Sequence, residues 1–506
     1  MSDTNSSLVL PTPPTPPPTP TPPPVPVPPP TPPPVSPPPA PSGISHVGGS
    51  PQAANDPFPP VKKRKLPILL FVIIGLVVIL GIALVSGPLT QFVPRLGGIT
   101  LTYWGLWEPE SIIRPILDEF EQSHSGIKVN YVMQSPQEYR ERLQAALDKN
   151  AGPDLFRIHN TWTAMMTNYL APVPPTAISS SDYEKTFYPI ALKDFKVGGN
   201  YAAIPLGYDG IAMYINDDLL QKSRLSVPQN WVELTDAALA MSQCASPDGS
   251  CKDGSKIVVS GVALGSTNVD HWQDILAVIM LQNNVNLDNP ASPNPAPAED
   301  VIEFFKSFVR TFHVWDPNLP SSTEYFASGK VGIYFAPSWR VFDIQAINPN
   351  LRFSIYPLPQ LPVDPSRGEK PITYSSYWGE AVSNKSQFQK EAWELLKYLS
   401  SAEVMQKTFQ LATSPQRAFG EPYSRVDLAE SLKDNKYLDV YLKQAPLAAS
   451  WYLASFTHDG QTGINTKMSE VFAKAITGTA TITSLAPEIN KVLSEYGIFT
   501  PQVQPQ

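Results

Sequence analysis

The sequence predicts an α/β protein with two sheets, preceded by one transmembrane helix and a disordered Pro-rich tail. Strand and helix patterns alternate from residue 99 onward, which is typical of layered α/β folds with largely parallel sheets. Residues 66–87 form a long uncharged apolar run. The first 60 residues hold 25 of the 58 prolines and no Lys or Arg. Such a segment buries too little apolar surface to offset its chain entropy, so we expect it to be disordered.

The apolar run predicts a membrane-spanning helix, because its 22 residues at about 1.5 Å each cover the roughly 30 Å hydrocarbon layer. A basic cluster at 62–65 precedes the run, whereas Arg95 is the one charge in the stretch that follows. The positive-inside rule then puts residues 1–61 in the cytoplasm and the domain after the linker at 88–98 outside the cell membrane, as a single-pass protein. A cleaved signal peptide is the alternative, although the run is longer and starts later than usual for one.

Composition limits the partners that the chain can bind. The net charge is −8 at pH 7, and residues 66–506 carry −10 once the tail and the basic cluster are set aside. No basic face for nucleic acid is therefore indicated. The Pro-rich tail is either a cytoplasmic spacer or a docking segment for a partner that recognises polyproline, and its Pro runs allow both. The apolar run adds the lipid bilayer as a partner through residues 66–87.

Cys244 and Cys251 are the only cysteines, with six residues between them in a loop rich in Ser, Asp and Gly. In an extracellular domain this spacing favours a local disulfide, and two free thiols are the alternative. Two cysteines are too few ligands for a metal site, and Asp248 and Asp253 lack the other carboxylates of a calcium loop. We therefore expect neither a metal site nor a cofactor.

The domain after residue 98 begins with a β-α-β-α-β pattern. An apolar stripe between Ile112 and Phe120 predicts one helix, and a capping box at Ser135 predicts the start of the next. Parallel order puts the loops after Tyr103 and Ile158 at the edge where open α/β sheets bind ligands. The predicted elements are strands at 99–103, 127–133 and 155–158 and helices at 110–123 and 136–150.

The same alternation returns after residue 200, which predicts a second sheet. The predicted strands lie at 202–205, 211–215, 257–264, 331–335, 353–357 and 372–374. The predicted helices lie at 231–243, 274–283, 300–312 and 389–400. Helical patterns continue from there to the C-terminus.

The chain lacks the sequence motifs of common enzymes. It has no His-Glu-x-x-His, Gly-x-Ser-x-Gly, Gly-x-x-x-x-Gly-Lys or Cys-x-x-Cys motif. Glycosidase carboxylates have no spacing signature, and Glu108, Asp209, Asp270 and Glu380 all lie near predicted loop ends. We expect a protein that is not an enzyme, and a surface glycoside hydrolase is the alternative.

Aromatic residues stand next to single polar groups at several predicted strand ends. A sugar has an apolar C–H face that stacks on an aromatic ring and a rim of hydroxyls that need donors or acceptors. The pattern therefore favours a carbohydrate site, although Trp and Tyr are also common core residues with one polar partner. The candidate ligand-binding residues are Trp107, Glu108, Asn160, Trp162, Tyr208, Asp209, Asp270, Trp272, Trp339, Arg340, Tyr377 and Trp378.

Six different short motifs follow one another along the chain in a specific order and spacing. They are Thr-Tyr-Trp-Gly at 102–105, Gly-Pro-Asp-Leu-Phe at 152–156, Ala-Ile-Pro-Leu-Gly at 203–207, Tyr-Ile-Asn-Asp-Asp-Leu-Leu at 214–220, Phe-Ala-Ser-Gly-Lys-Val-Gly at 326–332 and Ala-Trp-Glu-Leu-Leu-Lys-Tyr-Leu at 392–399. With them the chain resembles, over about residues 99–480, the family 1 extracellular solute-binding proteins of ABC importers. That family contains maltose-binding protein.

The resemblance implies a periplasmic-binding-protein-like fold. Two α/β lobes are joined by crossing strands, the ligand binds in the cleft between them, and the hinge closes on binding. On the family pattern, residues 99–506 form one bilobate domain. Its first lobe comprises about residues 99–212 and 371–400. The second lobe takes about 213–358 and 401–506.

The resemblance also implies roles for single residues. Trp107 and Glu108 look like first-lobe cleft residues, Asp209 lies near a crossing strand, and Trp339 looks like the stacking aromatic of the second lobe. The implied function is a receptor that binds a carbohydrate or other small solute and delivers it to an ABC importer permease. The chain departs from the family in its anchor, a helix with a Pro-rich tail. A ligand-free adhesion or scaffold protein is a further alternative.

Overall fold

The computed structural model describes residues 98–252, 254–290, 296–363, 365–414 and 417–498. The predicted Pro-rich tail and the predicted transmembrane helix lie outside these residues. Among the described helices, none combines the length and the apolar character that spanning a bilayer requires.

The described chain alternates strands and helices from its first residues. The strands are β1 Ile99–Gly105, β2 Ile127–Met133, β3 Leu155–His159, β4 Lys196–Val197, β5 Asn200–Tyr201, β6 Ala212–Asn216, β7 Gln243–Cys244, β8 Ile257–Val262, β9 Val331–Ala336, β10 Phe353–Tyr356, β11 Thr373–Tyr374, β12 Trp378–Val382 and β13 Ala448–Ala449. The α-helices are Glu110–Ser123, Tyr139–Asp148, Thr163–Met166, Ser180–Thr186, Pro189–Asp194, Asp217–Ser223, Trp231–Met241, Trp272–Gln282, Ala296–Arg310, Ser322–Ala327, Arg340–Ile347, Gln389–Leu399, Ala402–Ala412, Asp439–Gln444, Ile464–Thr477 and Ile482–Glu495.

The first large sheet has the strand order β12-β3-β1-β2. β1 pairs in parallel with both β2 and β3, which confirms the prediction from the β-α-β-α-β pattern. The helix Glu110–Ser123 packs against β2 through a buried face that includes Ile116, Leu117 and Phe120. β12 returns from far along the chain and pairs antiparallel to β3. This sheet and its helices form the first lobe.

The second large sheet has the strand order β10-β6-β9-β8-β7. β8 and β9 are parallel, whereas β6 runs antiparallel to β9 and β10, and β7 runs antiparallel to β8. The prediction of largely parallel sheets is wrong here, because β6 enters from the first lobe and runs against both of its neighbours. This sheet and its helices form the second lobe.

Two chain segments run side by side between the lobes, before β6 and before β12. Ile211 N donates to Tyr374 O at 3.2 Å, and Ser376 N donates to Asp209 O at 3.2 Å. A Cβ on Gly210 would meet Tyr374 O at 2.2 Å, so the close approach requires glycine. β11, on the segment before β12, also pairs with β13. The lobes are thus joined by a narrow hydrogen-bonded connection.

Two local predictions are wrong. Ser135 does not cap a helix, because the helix begins at Tyr139 after a turn in which Glu138 takes a left-handed φ of 53°. In that turn, Tyr139 N donates to Pro136 O at 3.1 Å. The predicted strand at 202–205 forms a single bridge, between Ile204 and Glu380 of β12, and no longer ladder.

The helix Ala402–Ala412, expected in the second lobe, packs against Glu110–Ser123 of the first lobe. An ion pair between Lys407 and Glu119 joins the exposed sides of these two helices. The chain after residue 400 therefore contributes to the first lobe as well.

A disulfide joins Cys244, the last residue of β7, to Cys251 in the loop that follows. Within that loop, Asp248 accepts hydrogen bonds from the N–H of Ser250 and from the hydroxyls of Ser246 and Ser250. Its carboxylate therefore orders the turn that the disulfide closes. Across the described residues, no three His, Cys, Asp or Glu side chains are grouped so as to hold a metal ion.

Candidate ligand-binding cleft

A cavity of about 450 Å³ lies between the two lobes. Its walls come from the loops after β1 and β9, the end of β3, the crossing segment at Asp209, the segment before β12, and residues 417–422 and 455–458. Because these pieces belong to both lobes, the cavity is a cleft between them. Its volume is within the range of small-molecule sites, roughly 300–1,000 Å³.

Aromatic rings cover the first-lobe wall of the cleft. Trp107 is 38 % exposed, and its ring lies 5.9 Å from that of Trp378 and 5.7 Å from that of His458, between centroids. Trp378 packs edge-on against Trp162 at 5.2 Å and His159 at 4.9 Å. Burial lowers the pKa of His159 to about 3, so its ring is neutral. These rings therefore form an uncharged aromatic patch on the first-lobe wall.

Neighbouring strands hold the loop that carries Trp107 and Glu108. The Tyr131 hydroxyl on β2 donates to the Glu108 carbonyl at 2.8 Å. The Glu108 carboxylate pairs with Arg157 Nη1 on β3 at 3.0 Å. A Cβ on Gly105 would meet the Tyr131 hydroxyl oxygen at 2.3 Å, so glycine at the end of β1 leaves room for that ring. The loop is thus anchored from both sides.

On the second-lobe wall, two aromatic rings stack against one guanidinium. Arg340 Cζ lies 4.3 Å from the ring centroid of Trp339 and 4.6 Å from that of Phe456. A guanidinium over a ring face is attracted by the ring quadrupole. Arg340 Nη1 also pairs with Asp343 at 2.8 Å, so its charge has a partner. The half-buried Trp339 is therefore held in one orientation at the cleft surface.

His271 supports this wall from behind. Arg340 Nε donates to His271 Nε2 at 3.0 Å, so Nε2 is the acceptor nitrogen. The proton is then on Nδ1, which lies 2.7 Å from Ser455 Oγ. The Ser455 hydroxyl and N–H donate in turn to the Asp274 carboxylate. Burial lowers the pKa of His271, which keeps the ring in the neutral form that this pattern needs.

Three non-glycine residues at the cleft have left-handed backbones. The φ angles are 64° at His271, 52° at Phe456 and 52° at His458. Each such residue costs about 1 kcal/mol or more and persists only where its surroundings enforce it. Ser455 is hydrogen-bonded to Asp274 of the second lobe, while the His458 ring packs against Trp107 of the first lobe. Residues 455–458 therefore contact both walls of the cleft.

Asp209 lies at the base of the cleft, on the crossing segment. Its carboxylate accepts hydrogen bonds from the Ser338 hydroxyl at 2.8 Å, the Ser338 N–H at 3.2 Å and the Gly210 N–H at 2.8 Å. Burial nevertheless raises the pKa of Asp209 to about 7, and the charge of Glu421 acts in the same direction.

Charged residues cluster beside Asp209 on the first-lobe side. The buried Arg157 pairs with Glu380 at 2.6 Å and with Glu108 at 3.0 Å. Glu421 faces the same cluster, and burial raises its pKa to about 7 although Arg157 opposes the shift. A smaller cavity of about 60 Å³ adjoins the cleft here, and Glu108, Arg417 and Glu421 line both.

A known protein family matches the chain over both lobes. The family model, described as bacterial extracellular solute-binding protein, matches residues 116–418, more than half of the 506 residues. The chain belongs to this family. Curated relatives include binding proteins of Brucella abortus (strain 2308) and Brucella suis biovar 1 (strain 1330), each 23% identical over 342 residues. The matched part is 65% of this chain and 75% of each relative.

Solved structures share the fold of this solute-binding protein. A cyclo/maltodextrin-binding protein complexed with maltotetraose has a TM-score of 0.61 at 19% identity, over 82% of this chain and 100% of that protein. The sugar-binding protein MalE from Xanthomonas citri has a TM-score of 0.60 at 16% identity, over 78% and 97%. The GacH receptor of Streptomyces glaucescens, solved unliganded and with acarbose, has a TM-score of 0.57 at 20% identity, over 79% and 100%. The predicted two-lobed α/β fold is confirmed.

Seven of the twelve predicted ligand-binding residues line the cleft of this solute-binding protein. Their contact with a ligand stays a prediction. One of them, Tyr377, is almost fully buried, and its hydroxyl donates to Asp194 at 3.0 Å. The seven residues are Trp107, Glu108, Asp209, Trp339, Arg340, Tyr377 and Trp378.

Two of the other predicted residues lie directly behind the first-lobe wall. Trp162 is fully buried and supports Trp378 through the edge contact described above. Asn160 is also buried, and its side chain is satisfied within the protein: it accepts from the Tyr377 N–H at 3.2 Å and donates to Asp194 at 2.8 Å. Neither side chain lines the cavity.

The last three predicted residues do not line the cavity either, because their side chains contact other parts of the protein. Tyr208 is buried, with its ring 5.1 Å from that of Tyr188. Asp270 accepts from the N–H and the hydroxyl of Thr323 at 3.0 and 2.6 Å and so caps a helix start. Trp272 begins the helix Trp272–Gln282 and is buried in the second lobe.

Several cleft residues were not predicted from the sequence. Phe456-Thr457-His458 repeats the aromatic and polar pattern used for the other candidates, but it lies where the sequence pattern indicated helices. His271, Ser338 and Ser376 stand next to predicted aromatic residues in the sequence but were not themselves chosen. The others have no such neighbour and reach the cleft through the fold. The residues missed include His159, His271, Ser338, Ser376, Arg417, Glu421, Phe456 and His458.

Proposed function

We propose that this solute-binding protein captures a sugar or oligosaccharide in the cleft and delivers it to an ABC importer. One observation carries the proposal: Trp107 from the first lobe and Trp339 from the second border the same cavity, each beside a charged residue. The rings can stack on the apolar face of a sugar, while the Glu108 carboxylate accepts hydrogen bonds from its hydroxyls and the Arg340 guanidinium donates to them. The relatives solved with maltotetraose and acarbose support a carbohydrate ligand.

Binding is expected to close the cleft. A sugar that contacts both walls interacts more strongly with the closed form, and this difference in affinity drives closure. The hinge in this proposal is the connection at 209–211 and 374–376, where few hydrogen bonds join the lobes. The closed, loaded form is then the one that the ABC permease recognises.

The proposal also includes the membrane anchor. Residues 66–87 form one membrane helix, the tail at 1–61 lies in the cytoplasm, and the two lobes lie outside the cell. The basic cluster at 62–65 supports this orientation. Alkaline extraction of membranes from expressing cells tests the anchor. The full chain should stay in the membrane pellet and a chain lacking 66–87 should be released. Release of both chains would contradict the anchor.

A ligand screen on the full-length protein tests the receptor function. The screen combines melting temperature and tryptophan fluorescence with maltose, maltotetraose, cellobiose, mannobiose, tagatose and a set of amino acids. At 100-fold excess over Kd, a bound sugar adds about 2.7 kcal/mol to the unfolding free energy, which raises Tm by about 3 °C in a chain of this size. Such a ligand should also change the fluorescence of the cleft tryptophans.

Two variants locate the binding in the cleft. Trp107→Ala and Trp339→Ala should each weaken the sugar at least tenfold, because each removes one stacking surface. Val232→Ala is the matched control, since Val232 is 73 % exposed on the helix Trp231–Met241 and does not line the cavity. If no carbohydrate raises Tm, or if both tryptophan variants bind it normally, the proposal fails.

A further inference from the structure

Acidic groups outnumber fixed positive charges where the cleft meets the smaller cavity. Four carboxylates and two guanidiniums lie at or behind this junction. Glu108, Arg417 and Glu421 line both cavities. Asp209 lines the cleft, Arg157 lines the smaller cavity, and Glu380 is fully buried and pairs with Arg157. Arg340, on the opposite wall, adds no free positive charge because it is paired with Asp343.

Glu421 is the acid of this group without a close partner. Arg157 is occupied, since Glu108 and Glu380 both pair with it. The Arg417 guanidinium lies 5.3 Å from the ring centroid of Phe342, and its Nε has no hydrogen-bond partner. Within the part of the chain that the structure describes, no ion pair or hydrogen bond engages the Glu421 carboxylate. The charges of Arg157 and Arg417 act on it only from a greater distance.

The cleft histidines do not compensate for the surplus. Burial lowers the pKa values of His159, His271 and His458. All three rings are therefore neutral near pH 7. A neutral sugar needs no charged partner in its site. Here the carboxylates outnumber the guanidiniums, although Asp209 and Glu421, with pKa values of about 7, carry only part of their charge at pH 7. A cation bound beside Glu421 would favour its charged form.

We infer that this protein selects a sugar that carries an amino group, and that the protonated amine pairs with Glu421 where the two cavities meet. The inference rests on the proposed sugar-binding function. The evidence for that function is that the indoles of Trp107 and Trp339 border one cavity, and it does not depend on the charge of Glu421. A ligand hydroxyl in the same position can donate one hydrogen bond to Glu421, but it leaves the surplus charge uncompensated. An ammonium group donates the hydrogen bond and compensates the charge.

Matched sugar pairs test the inference on the full-length protein. The pairs are cellobiose with chitobiose, in which two 2-hydroxyls are replaced by free amines, and maltotriose with 6-amino-6-deoxymaltotriose. Affinities are measured by calorimetry at pH 7. In at least one pair, the amino sugar is expected to bind at least tenfold more tightly than its hydroxyl counterpart.

Glu421→Gln isolates the residue, because the amide keeps the shape and removes the charge. The ratio of amino-sugar to hydroxyl-sugar affinity should fall to within about twofold of one. Glu403→Gln is the matched control, since Glu403 is exposed at the start of the helix Ala402–Ala412 and changes the net charge equally. The control should leave the ratio unchanged.

A pH series on the unmodified chain gives a second measurement that needs no variant. Glu421 faces Arg157, Arg417, Glu108, Glu380 and Asp209. The series uses the maltotriose pair, because the primary alkyl amine of the 6-amino sugar stays protonated throughout. As pH falls from 7.5 to 5.5, Glu421 and Asp209 take up protons, so the preference for this amino sugar should decrease.

The outcomes separate this inference from the proposed function. If neutral sugars bind in the cleft and the amine brings no gain, or if Glu421→Gln keeps the gain, only the amino-sugar inference is overturned. If no sugar of either kind binds, the receptor function is overturned and this inference with it.

Discussion

Ser338 donates two hydrogen bonds to Asp209, one from its hydroxyl at 2.8 Å and one from its N–H at 3.2 Å. Asp209 belongs to the segment that crosses between the lobes, whereas Ser338 follows β9 and precedes Trp339. The pair therefore joins the hinge to the wall that carries the second-lobe indole. A change of charge at Asp209 should affect both the stability of the fold and the geometry of the cleft.

The pH dependence of unfolding tests the charge of Asp209. Its pKa rises from 3.8 to about 7 on folding, so the folded protein binds this proton more tightly than the unfolded chain. The stabilisation is complete below pH 4 and is lost as pH rises through about 7. In Asp209→Asn this loss is absent. Urea unfolding at pH 5, 6, 7 and 8 should show the variant gaining stability relative to the unmodified protein as pH rises.

A control is needed because other buried acids titrate in the same range. Burial also raises the pKa of Asp194 to about 6 and that of Glu421 to about 7. The diagnostic quantity is therefore the difference between the variant and the unmodified protein at each pH. Asp434→Asn, an exposed position, should show no pH-dependent difference. A constant difference for Asp209→Asn would contradict the raised pKa.

Arg157 should be among the residues most sensitive to substitution. Arg157→Met leaves Glu108 and the fully buried Glu380 without their shared partner. Removing one side of a buried ion pair lowers the free energy of unfolding by about 3–5 kcal/mol. Guanidinium denaturation measures the loss, and adding Glu380→Gln to Arg157→Met should recover part of it, because the orphaned charge is removed.

An exposed ion pair provides the comparison for Arg157. Lys128 pairs with Glu121 at 2.8 Å, and the Lys128 side chain is 71% exposed. Lys128→Met should change the free energy of unfolding by less than about 1 kcal/mol, as is usual for surface pairs. Equal effects of Arg157→Met and Lys128→Met would mean that the buried cluster does not stabilise the fold in this way.

The first lobe was predictable where its strands alternate. β2 was predicted with its observed bounds, Ile127–Met133, because Ile127, Val129 and Tyr131 are buried while the residues between them are exposed. β12 was missed, because Gly379–Val382 is buried on both faces and shows no alternation.

The cleft was predictable only in part, for a related reason. Trp107 and Trp339 follow predicted strands and stand beside polar residues, so their local sequence identifies them. The Arg157–Glu380 pair depends on the register in which β12 lies opposite β3, and these residues are 223 positions apart. Phe456 and His458 reach the cleft through left-handed backbone angles, which have no signature in residues of these types.

The disulfide between Cys244 and Cys251 should stabilise the second lobe modestly. The two cysteines are 7 positions apart, and closing so short a loop restricts the unfolded chain by about 2 kcal/mol. Cys244→Ser with Cys251→Ser should therefore lower Tm by a few degrees in calorimetry. The unmodified protein, once reduced, should have the same Tm as the double variant. Two thiols that react with iodoacetamide in the unreduced protein would contradict the bond.

Phe456 separates a backbone effect from a side-chain effect at the cleft. Its φ of 52° suits glycine better than any residue with a Cβ, so Phe456→Gly should be more stable than Phe456→Ala by about 1 kcal/mol. Both variants lose the ring that stacks on Arg340 and borders the cavity, so both should bind sugar less tightly. Val232, exposed in the helix Trp231–Met241, is the control, because there glycine should be less stable than alanine by about 1 kcal/mol. Urea unfolding of the four variants measures these differences. If glycine is the less stable residue at both positions, the left-handed backbone at Phe456 is not a feature of the protein in solution.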